Sequence, residues 1–345
     1  MGWPHVRAAV LGIDGLVVTD APEPSAGQGE AILRVSACGV CRTDLHYLHG
    51  VPTVKPRPLV LGHEVSGTVL SSTEERLKEG TNVLVPPVIP CGHCRFCLEG
   101  RNTLCASMQM FGNHRDGGFA ERMAVPAWAV FPVPPDFPMV EGSVVSDAVS
   151  TAYHAMVNRA AVRPGETVAV IGCGGVGFSV VQMAVALGAS VIAVDVAEPK
   201  LRAAERFGAK AVLDASKSFD LGKEIRKLTG GGVDVAAEVI GKPATIAAAV
   251  EAVRPGGRVV VVGYSEQPAT INASRLMFRE VEIRGSLGCG LQDFPKVLDL
   301  VARGRIDAKA LVTHTFPLER TAEALSLLES GAPDLIRAVV VPGGK

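Results

Sequence analysis

The segment from Thr167 to Asp195 constrains the fold more than any other part of the sequence. An apolar run, Thr167–Ile171, leads directly into Gly172-Cys-Gly174-Gly-Val-Gly177, which is followed by small and apolar residues and by a second apolar run. No charged side chain occurs from Val168 to Val194, a stretch long enough to span a bilayer, but its glycines and its change of pattern argue against that interpretation. The segment therefore predicts a buried strand–helix–strand unit.

The glycines of this turn predict a dinucleotide site. Gly172 permits a tight turn, Gly174 lets the backbone approach a pyrophosphate, and Gly177 allows the helix to pack closely on the strand. The helix N-terminus, at Gly175 and Val176, offers oriented N–H groups to the phosphates. The alternative interpretation is a glycine-rich turn that binds nothing.

An acidic residue follows at the position that such a site requires. Asp195 ends the next predicted strand, where its carboxylate can accept hydrogen bonds from both hydroxyls of an adenosine ribose and would repel a 2′-phosphate. No Arg follows within three positions, so the sequence favours NAD over NADP. Lys200 is a further candidate ribose contact.

Apolar runs alternate with alanine-rich stretches from Thr151 to about Gly285, which is typical of an α/β fold with a doubly wound parallel sheet. We expect strands at about 167–171, 191–194, 211–213, 234–238, 258–262 and 281–285. Before about residue 148, short β-like runs such as 31–35 and 82–85 lie between Pro and Gly clusters. The last part has helical patterns at 294–303 and 318–329 and a strand pattern at 336–341. We expect domains at 1–148 and 149–287, with 288–345 returning to the first.

Four cysteines in one short window predict a structural zinc site. Cys91, Cys94, Cys97 and Cys105 lie in a polar loop, 91–105, that is rich in turn-forming residues. Four thiolates can surround one Zn²⁺ tetrahedrally and leave no coordination position open, so the ion would order the loop without taking part in chemistry. Disulfides are the competing interpretation. They are disfavoured because nothing at the N-terminus resembles a signal peptide and thiols inside a cell stay reduced.

Composition excludes several classes of partner. The chain has 345 residues, 48% hydrophobic and 20% charged, which is sufficient for a large core, and its formal net charge is −1. This charge provides no global attraction to nucleic acids or to anionic membranes. We therefore expect a cytoplasmic protein that acts on a small molecule.

Several motifs resemble those of the zinc-dependent medium-chain alcohol dehydrogenases, in the same order along the chain. They are Gly39-Val-Cys41-Arg42-Thr43-Asp44-Leu-His46, Gly62-His63-Glu64, the four-cysteine loop and the glycine turn at 172–177. The resemblance covers essentially the whole chain. It implies a β-rich, GroES-like catalytic domain, a Rossmann domain for NAD, and commonly a homo-dimer or homo-tetramer. It also implies one catalytic zinc ion in addition to the structural one.

Carried over by position, the resemblance makes Cys41, His63 and Asp147 ligands of the catalytic zinc. Asp147 stands where the family often has Cys; a carboxylate oxygen is an acceptable zinc ligand, and we expect it to leave the metal more Lewis-acidic than a thiolate would. Glu64 resembles a ligand that alternates with water. Cys38 forms a C-x2-C pair with Cys41 and is the main rival ligand.

The resemblance also implies the roles of the neighbouring residues. Asp44 is similar to the carboxylate that orients the His63 imidazole, and Thr43 to the hydroxyl that passes a proton through the nicotinamide ribose to His46. Arg42 and Arg337 resemble the cations that meet the pyrophosphate and the Glu64 side chain, and both are candidate cofactor contacts. The implied activity is hydride transfer between a primary or secondary alcohol and NAD.

Three alternatives stay open at this point. Stretches such as Val85–Cys91, Ser146–Ala148 and Leu287–Gly290 also resemble the cyclic hydroxyacyl-CoA dehydrogenases, so the substrate could be a bulky alicyclic thioester. A zinc-free enzyme related to quinone reductases is disfavoured by the presence of Cys41 and His63. A zinc-ribbon binding module is disfavoured by the neutral charge and the complete dinucleotide motif. The zinc content per chain separates these possibilities: two ions for the dehydrogenase, one for the binding module and none for the reductase.

Overall fold

The computed structural model describes residues 5–343, which form two compact units. The first unit contains the described residues up to Ser150, Gly288–Asp299 and those from Ala308 onward, and the second contains Thr151–Leu287 and Leu300–Asp307. The sequence placed all of 288–345 with the first domain, whereas Leu300–Asp307 belongs to the second unit. Its end is held there by Gln182, whose Oε1 accepts from the Asp307 N–H at 2.7 Å and whose amide donates to the Asp307 carbonyl at 3.3 Å.

The residues before the glycine turn form short strands with a few short helices. These elements are β1 (His5–Gly12), β2 (Gly15–Pro22), β3 (Glu30–Gly39), α1 (Arg42–Leu48), β4 (Leu59–Val60), β5 (Glu64–Ser72), β6 (Asn82–Val85), β7 (Val88–Ile89), α2 (Arg95–Leu98), β8 (Gln109–Met110), β9 (Arg122–Pro126), β10 (Phe131–Pro132), α3 (Met139–Gly142) and α4 (Ala148–Tyr153), followed by a π-helix (His154–Arg159).

Strands and helices then alternate, and the chain ends with two strands and two helices. The alternating elements are β11 (Thr167–Ile171), α5 (Gly175–Ala186), β12 (Ser190–Asp195), α6 (Glu198–Arg206), β13 (Ala211–Asp214), α7 (Leu221–Leu228), β14 (Val233–Glu238), α8 (Pro243–Ala252), β15 (Val253–Val261), α9 (Ala273–Arg279) and β16 (Glu282–Gly285). The last elements are α10 (Phe294–Ala302), β17 (Val312–Pro317), α11 (Thr321–Ser330) and β18 (Arg337–Val341).

The first unit is β-rich, as predicted. Its largest sheet has seven strands in the order β10-β6-β5-β3-β18-β17, with β9 also pairing with β3, and a smaller sheet has the order β2-β1-β4. Strand β18 pairs antiparallel with β3, so Val339 lies opposite Gly39 and the C-terminal strand reaches the end of β3. The core includes Leu33, Phe111 and Phe119, all fully buried.

The second unit is the predicted doubly wound sheet. Its six strands are all parallel and run in the order β13-β12-β11-β14-β15-β16, which is the strand order of a Rossmann fold. The central strands β11 and β14 are almost wholly buried because helices cover both faces of such a sheet. The strand order reverses between β11 and β14, where folds of this class bind their ligands.

All six strands predicted for this unit are present, and one of them begins earlier than expected. Strand β15 begins at Val253 rather than at 258, because the Arg-Pro-Gly-Gly segment, which has the composition of a turn, is taken into the strand as an irregularity in its pairing with β14. The uncharged stretch 168–194 is strand β11, helix α5 and strand β12, as predicted. Within residues 5–343, no helix combines the length and apolar character that a bilayer crossing requires.

Candidate functional site

Four potential metal ligands from three separate segments of the first unit lie together. Cys41 is the N-cap of α1, His63 directly precedes β5, Glu64 is the first residue of β5, and Asp147 directly precedes α4. One ligand atom from each of these residues lies within 4.8 Å of those of the other three. Cys38, the rival ligand, is not in this group; its buried thiol is 3.7 Å from the Gly39 carbonyl oxygen.

Two glycines make the close approach of these segments possible. Gly62, which precedes His63, has φ +94°, and a Cβ there would lie 2.7 Å from the Cys38 sulfur. At Gly39 a Cβ would lie 2.1 Å from Glu64 Oε2. A larger residue at position 39 would therefore displace the Glu64 carboxylate.

Asp44 connects the first two ligand segments. Its Oδ2 accepts from the Cys41 N–H at 3.0 Å, and its Oδ1 accepts from the Gly62 N–H at 3.2 Å. The same Oδ1 lies 3.4 Å from His63 Nδ1, and the other ring nitrogen, Nε2, lies 3.7 Å from Asp147 Oδ2. This arrangement leaves Nε2 as the ring atom that faces the other potential ligands, while Nδ1 faces the orienting carboxylate.

The charged groups of the site shift one another's pKa values. Burial lowers the pKa of His63, but the carboxylates of Asp44 and Asp147 outweigh it and raise that pKa well above 6.5. Burial raises the pKa of the Cys41 thiol, yet His63 and Arg337 outweigh it and leave that pKa below 9.0. Thiolate, imidazole and carboxylate donors are the ligands that zinc takes in proteins, so the chemistry of the set fits a zinc ion.

Glu64 is fully buried and faces Arg337 at the start of β18. Arg337 Nη2 lies 2.6 Å from Glu64 Oε1, and Nη1 donates to the Val40 carbonyl at 3.1 Å. The predicted contact between this arginine and Glu64 is thus present. Burial raises the pKa of Glu64 well above 4.5 despite the Arg337 charge, and apart from this ion pair neither carboxylate oxygen has a hydrogen-bond partner within residues 5–343. Arg337 is only 4% exposed, so its predicted pyrophosphate contact stays a prediction.

Helix α1 carries the other predicted catalytic residues. Thr43 is partly exposed, and its hydroxyl oxygen is 3.7 Å from the Cys41 sulfur. His46, also partly exposed, lies in the last turn of the same helix, and Arg42 is exposed at its first position. The residues predicted to move the proton are therefore on the same short helix that Cys41 caps.

The four cysteines of the 91–105 loop form a second cluster. Cys97 Sγ lies 3.9 Å from Cys91 Sγ and 3.5 Å from Cys94 Sγ, and all four sulfurs are within 4.8 Å of one another. Sulfurs on one tetrahedral zinc ion are about 3.8 Å apart, given a bond length of about 2.3 Å. A disulfide needs about 2.05 Å, and all four thiols are free.

Backbone N–H groups in this loop are directed at the sulfurs. Cys94 N–H donates to Cys91 Sγ and Cys91 N–H donates to Cys105 Sγ, both at 3.3 Å. Such donors stabilise thiolates, and the N–H groups of His93 and Cys94 lower the pKa of Cys91 to about 6. Burial and the neighbouring thiols raise the pKa of Cys97 to about 11, so the loop favours a thiolate at Cys91 and leaves Cys97 to lose its proton to a metal ion.

In the second unit, the glycine turn has the geometry that the sequence predicts. Gly172 has φ +103°, and a Cβ on Gly177 would lie 1.9 Å from the Gly172 carbonyl oxygen. By contrast, a Cβ on Gly174 would meet no atom within 4 Å. Gly174 therefore borders open space at the N-terminus of α5, which Gly175 and Val176 begin.

Asp195 lies beside this turn and is tied to it. Its Oδ2 accepts from the Cys173 N–H at 2.7 Å, and its Oδ1 accepts from Val196 and Ala197 at 2.8 and 3.0 Å. A carboxylate has about four acceptor positions, so roughly one remains for a ribose hydroxyl, fewer than the two expected from sequence. Lys200 lies in the first turns of α6, close enough for its charge to affect Cys173.

Sequence reasoning missed one buried acid near the turn. Glu238, at the end of β14, is fully buried and lies opposite Ile171 in the sheet register. An acid at the end of an otherwise apolar strand core was the available signal, because a buried carboxylate requires specific partners.

Comparison with known proteins agrees with both parts of the geometry. Residues 27–135 match the family model described as alcohol dehydrogenase GroES-like domain, and residues 175–303 match the model described as zinc-binding dehydrogenase. These matches cover the segments that contain Cys41, His63, the four-cysteine loop and Asp195.

Relatives and a solved structure match over nearly the full chain. A sorbitol dehydrogenase of Bacillus subtilis (strain 168) is 32% identical, with 98% of each chain covered. An alcohol dehydrogenase of Geobacillus stearothermophilus is 34% identical, with 92% of this chain and 93% of the relative covered. The crystal structure of a zinc-binding dehydrogenase from Sinorhizobium meliloti 1021 bound to NADP has a TM-score of 0.90 at 30% identity, with 98% of this chain and 100% of that chain covered.

Proposed function

Because the chain belongs to the zinc-type medium-chain dehydrogenase/reductase family, we propose that it is a zinc- and NAD-dependent dehydrogenase that interconverts a primary or secondary alcohol and its carbonyl compound. The observation that carries this proposal is the group of Cys41, His63, Glu64 and Asp147, which brings thiolate, imidazole and carboxylate ligands together from three distant segments. When bound there, zinc supplies Lewis acidity that favours loss of the alcohol proton. Cys41, His63 and Asp147 would hold the ion, with Glu64 beside it.

The reaction balances as the loss of one hydride and one proton from the alcohol. NAD bound at the glycine turn would supply the acceptor for the hydride, and the hydroxyl proton would leave by way of this chain's own side chains. Thr43, within contact distance of the Cys41 sulfur, would take part in passing this proton on, and His46 would deliver it to solvent. Asp44 would keep the His63 ring oriented through the 3.4 Å contact.

Two features support the finer assignment of cofactor and of the second metal. The Asp195 carboxylate beside the glycine turn would repel a 2′-phosphate, which favours NAD even though the Sinorhizobium meliloti neighbour is bound to NADP. The four-sulfur loop would hold the second, structural zinc ion. The free thiols suit the reducing cytoplasm, and the family resemblance supports a homo-dimer or homo-tetramer.

Metal analysis and a matched pair of cysteine variants test the proposal. We expect two zinc ions per wild-type chain, one in Cys41→Ala and two in Cys38→Ala, because both substitutions remove a buried thiol but only Cys41 is among the potential ligands. Cys41→Ala should lose NADH formation, measured at 340 nm, while Cys38→Ala retains it. Equal zinc content and equal activity in the two variants would refute the assignment.

The substrate is identified by a panel of alcohols in the same assay. Short, cyclic, aromatic and CoA-linked alcohols separate the leading proposal from a cyclic hydroxyacyl-CoA dehydrogenase, which the stretches near Pro87 and Cys289 resemble. The relatives already include enzymes for different substrates, sorbitol among them, so the family alone does not specify the alcohol. Activity that persists after complete zinc removal would instead favour the quinone-reductase-like alternative.

A further inference from the structure

Glu238 joins three loops at the carboxyl ends of the central strands of the second unit. Its Oε1 accepts from the N–H groups of Ile240 and Gly241, both at 2.9 Å, and lies 2.8 Å from the Thr245 hydroxyl that donates to it. Ile240 and Gly241 belong to the turn between β14 and α8, and Thr245 lies in the first turn of α8. One carboxylate oxygen thus holds the whole turn.

The backbone of Glu238 also binds the loop that follows β15. Its carbonyl accepts from the N–H groups of Val262 and Gly263 at 2.9 and 3.1 Å, directly after β15. The two loops also touch, since a Cβ on Gly241 would lie 2.0 Å from the Tyr264 carbonyl oxygen. Displacing the Glu238 turn would therefore displace the loop after β15 as well.

The turn held by Glu238 also packs against the glycine turn. Ile240 Cγ1 lies 2.5 Å from the position that a Cβ on Gly172 would take, and Val239 N–H donates to the Ile171 carbonyl at 3.0 Å. Strands β11 and β14 flank the point where the strand order reverses, which is where this class of sheet binds its dinucleotide.

We propose that Glu238 is a positioning residue for the dinucleotide: its carboxylate fixes the β14–α8 turn so that Ile240 packs on Gly172 and shapes the crevice before the cofactor arrives. This inference rests on the proposed function, which requires a dinucleotide there. Only Oε1 carries the contacts, because Oε2 is buried without a partner within residues 5–343. A glutamine side chain keeps one oxygen acceptor, so Glu238→Gln should preserve the hold on the turn, whereas Glu238→Ala should lose it.

The experiment compares Glu238→Gln and Glu238→Ala with Asp234→Ala as the matched control. Asp234 lies on the same strand at the opposite end, where its Oδ2 accepts from the Thr167 N–H at 2.7 Å and Oδ1 from Arg254. Hydrogen exchange of the Ile240 and Gly241 amides, NAD dissociation constants from titration calorimetry, and melting temperatures are measured for each. If Glu238→Ala does not fold, Glu238→Asp, which shortens the reach of the carboxylate, takes its place.

We expect Glu238→Ala to exchange these two amides about tenfold faster and to bind NAD about tenfold more weakly, because the hydrogen bonds that Oε1 accepts from the turn are lost. Glu238→Gln should stay within about twofold of wild type in both readouts. Asp234→Ala should melt at a lower temperature yet bind NAD with the wild-type constant. Unchanged NAD affinity in Glu238→Ala, or an equal loss of affinity in Asp234→Ala, would overturn the proposal. If wild type bound no NAD, the proposed function would fail, whereas the exchange rates would still measure the hold of Glu238 on the turn.

Discussion

Two alanine substitutions in the glycine turn should separate the folding role of this turn from its binding role. Gly177→Ala places a methyl carbon 1.9 Å from the Gly172 carbonyl oxygen, a backbone atom that cannot rotate away. Gly174→Ala places the same methyl group in open space, with no atom within 4 Å. We expect the first variant to lose stability and the second to lose affinity for NAD.

The magnitudes follow from the contacts. Carbon and carbonyl oxygen normally approach to about 3.3 Å, so Gly177→Ala must move the helix from the turn by about 1.4 Å. Overpacking of this kind costs up to about 3 kcal/mol, and the better helix propensity of alanine offsets about 1 kcal/mol, which leaves a net loss of about 2 kcal/mol. In a domain of this size that corresponds to a melting temperature lower by about 4–8 °C. Gly174→Ala should cost at most about 1 kcal/mol, because alanine is a poorer N-cap than glycine.

Thermal melting with and without NAD measures both effects. At an NAD concentration of about 100 times the wild-type dissociation constant, binding should stabilise the wild type by about 2.7 kcal/mol. If the methyl group of Gly174→Ala weakens binding about tenfold, the stabilisation at that concentration falls to about 1.4 kcal/mol.

Either variant can refute this reasoning. Gly177→Ala with the wild-type melting temperature would show that the turn relaxes without cost. Gly174→Ala with an unreduced response to NAD would mean that no pyrophosphate approaches the backbone at that position, which would contradict the dinucleotide site.

Further predictions address the cofactor, the four-cysteine loop and an ion pair of the second unit. Asp195→Ser should raise the use of NADP relative to NAD, and an unchanged ratio of kcat/KM values would count against the ribose assignment. Cys91→Ser should bind one zinc ion fewer and melt at a lower temperature; a fully stable, zinc-depleted variant would contradict a structural role. Glu166→Gln should cost about 1–3 kcal/mol in urea unfolding, because Arg258 contacts both carboxylate oxygens, at 3.0 and 2.6 Å. Burial raises the pKa of Glu166, but Arg258 outweighs it and holds that pKa below 4.5. The stabilisation is therefore present above pH 4.5 and is lost as the pH falls through the lowered pKa. The difference in unfolding free energy between wild type and Glu166→Gln should accordingly shrink in acid.

Local patterns determined the second unit almost completely. The runs that form β11, β12 and β14 are apolar because both faces of a parallel sheet are covered, and this makes them recognisable without any long-range information. Only strand β15 differs clearly from the bounds predicted from sequence. The composition of Arg254–Gly257 resembles a turn, but pairing with β14 extends the strand through these residues. The pairing partner decided that boundary.

The four-cysteine loop could also be predicted from sequence, because its ligands lie within a few residues of one another and chain connectivity alone brings them close. The other metal-ligand group could not be derived from spacing. Cys41, His63 and Asp147 lie far apart in the chain, and the resemblance to a known family was what linked them. The structure adds the backbone reasons, including Gly39 and Gly62, that let these segments meet.

The sequence by itself determined the strand–turn–helix pattern, the acid at Asp195 and the local cysteine cluster, since each depends on neighbours in the chain. Tertiary structure decided which distant groups meet: Arg337 reaches Glu64 only because β18 pairs with β3, and Glu238 and its turn reach the loops after β11 and β15 only because β14 lies between those two strands. The physical reason is that a local pattern fixes the conformation of a segment, whereas contacts between segments depend on the packing of the whole domain.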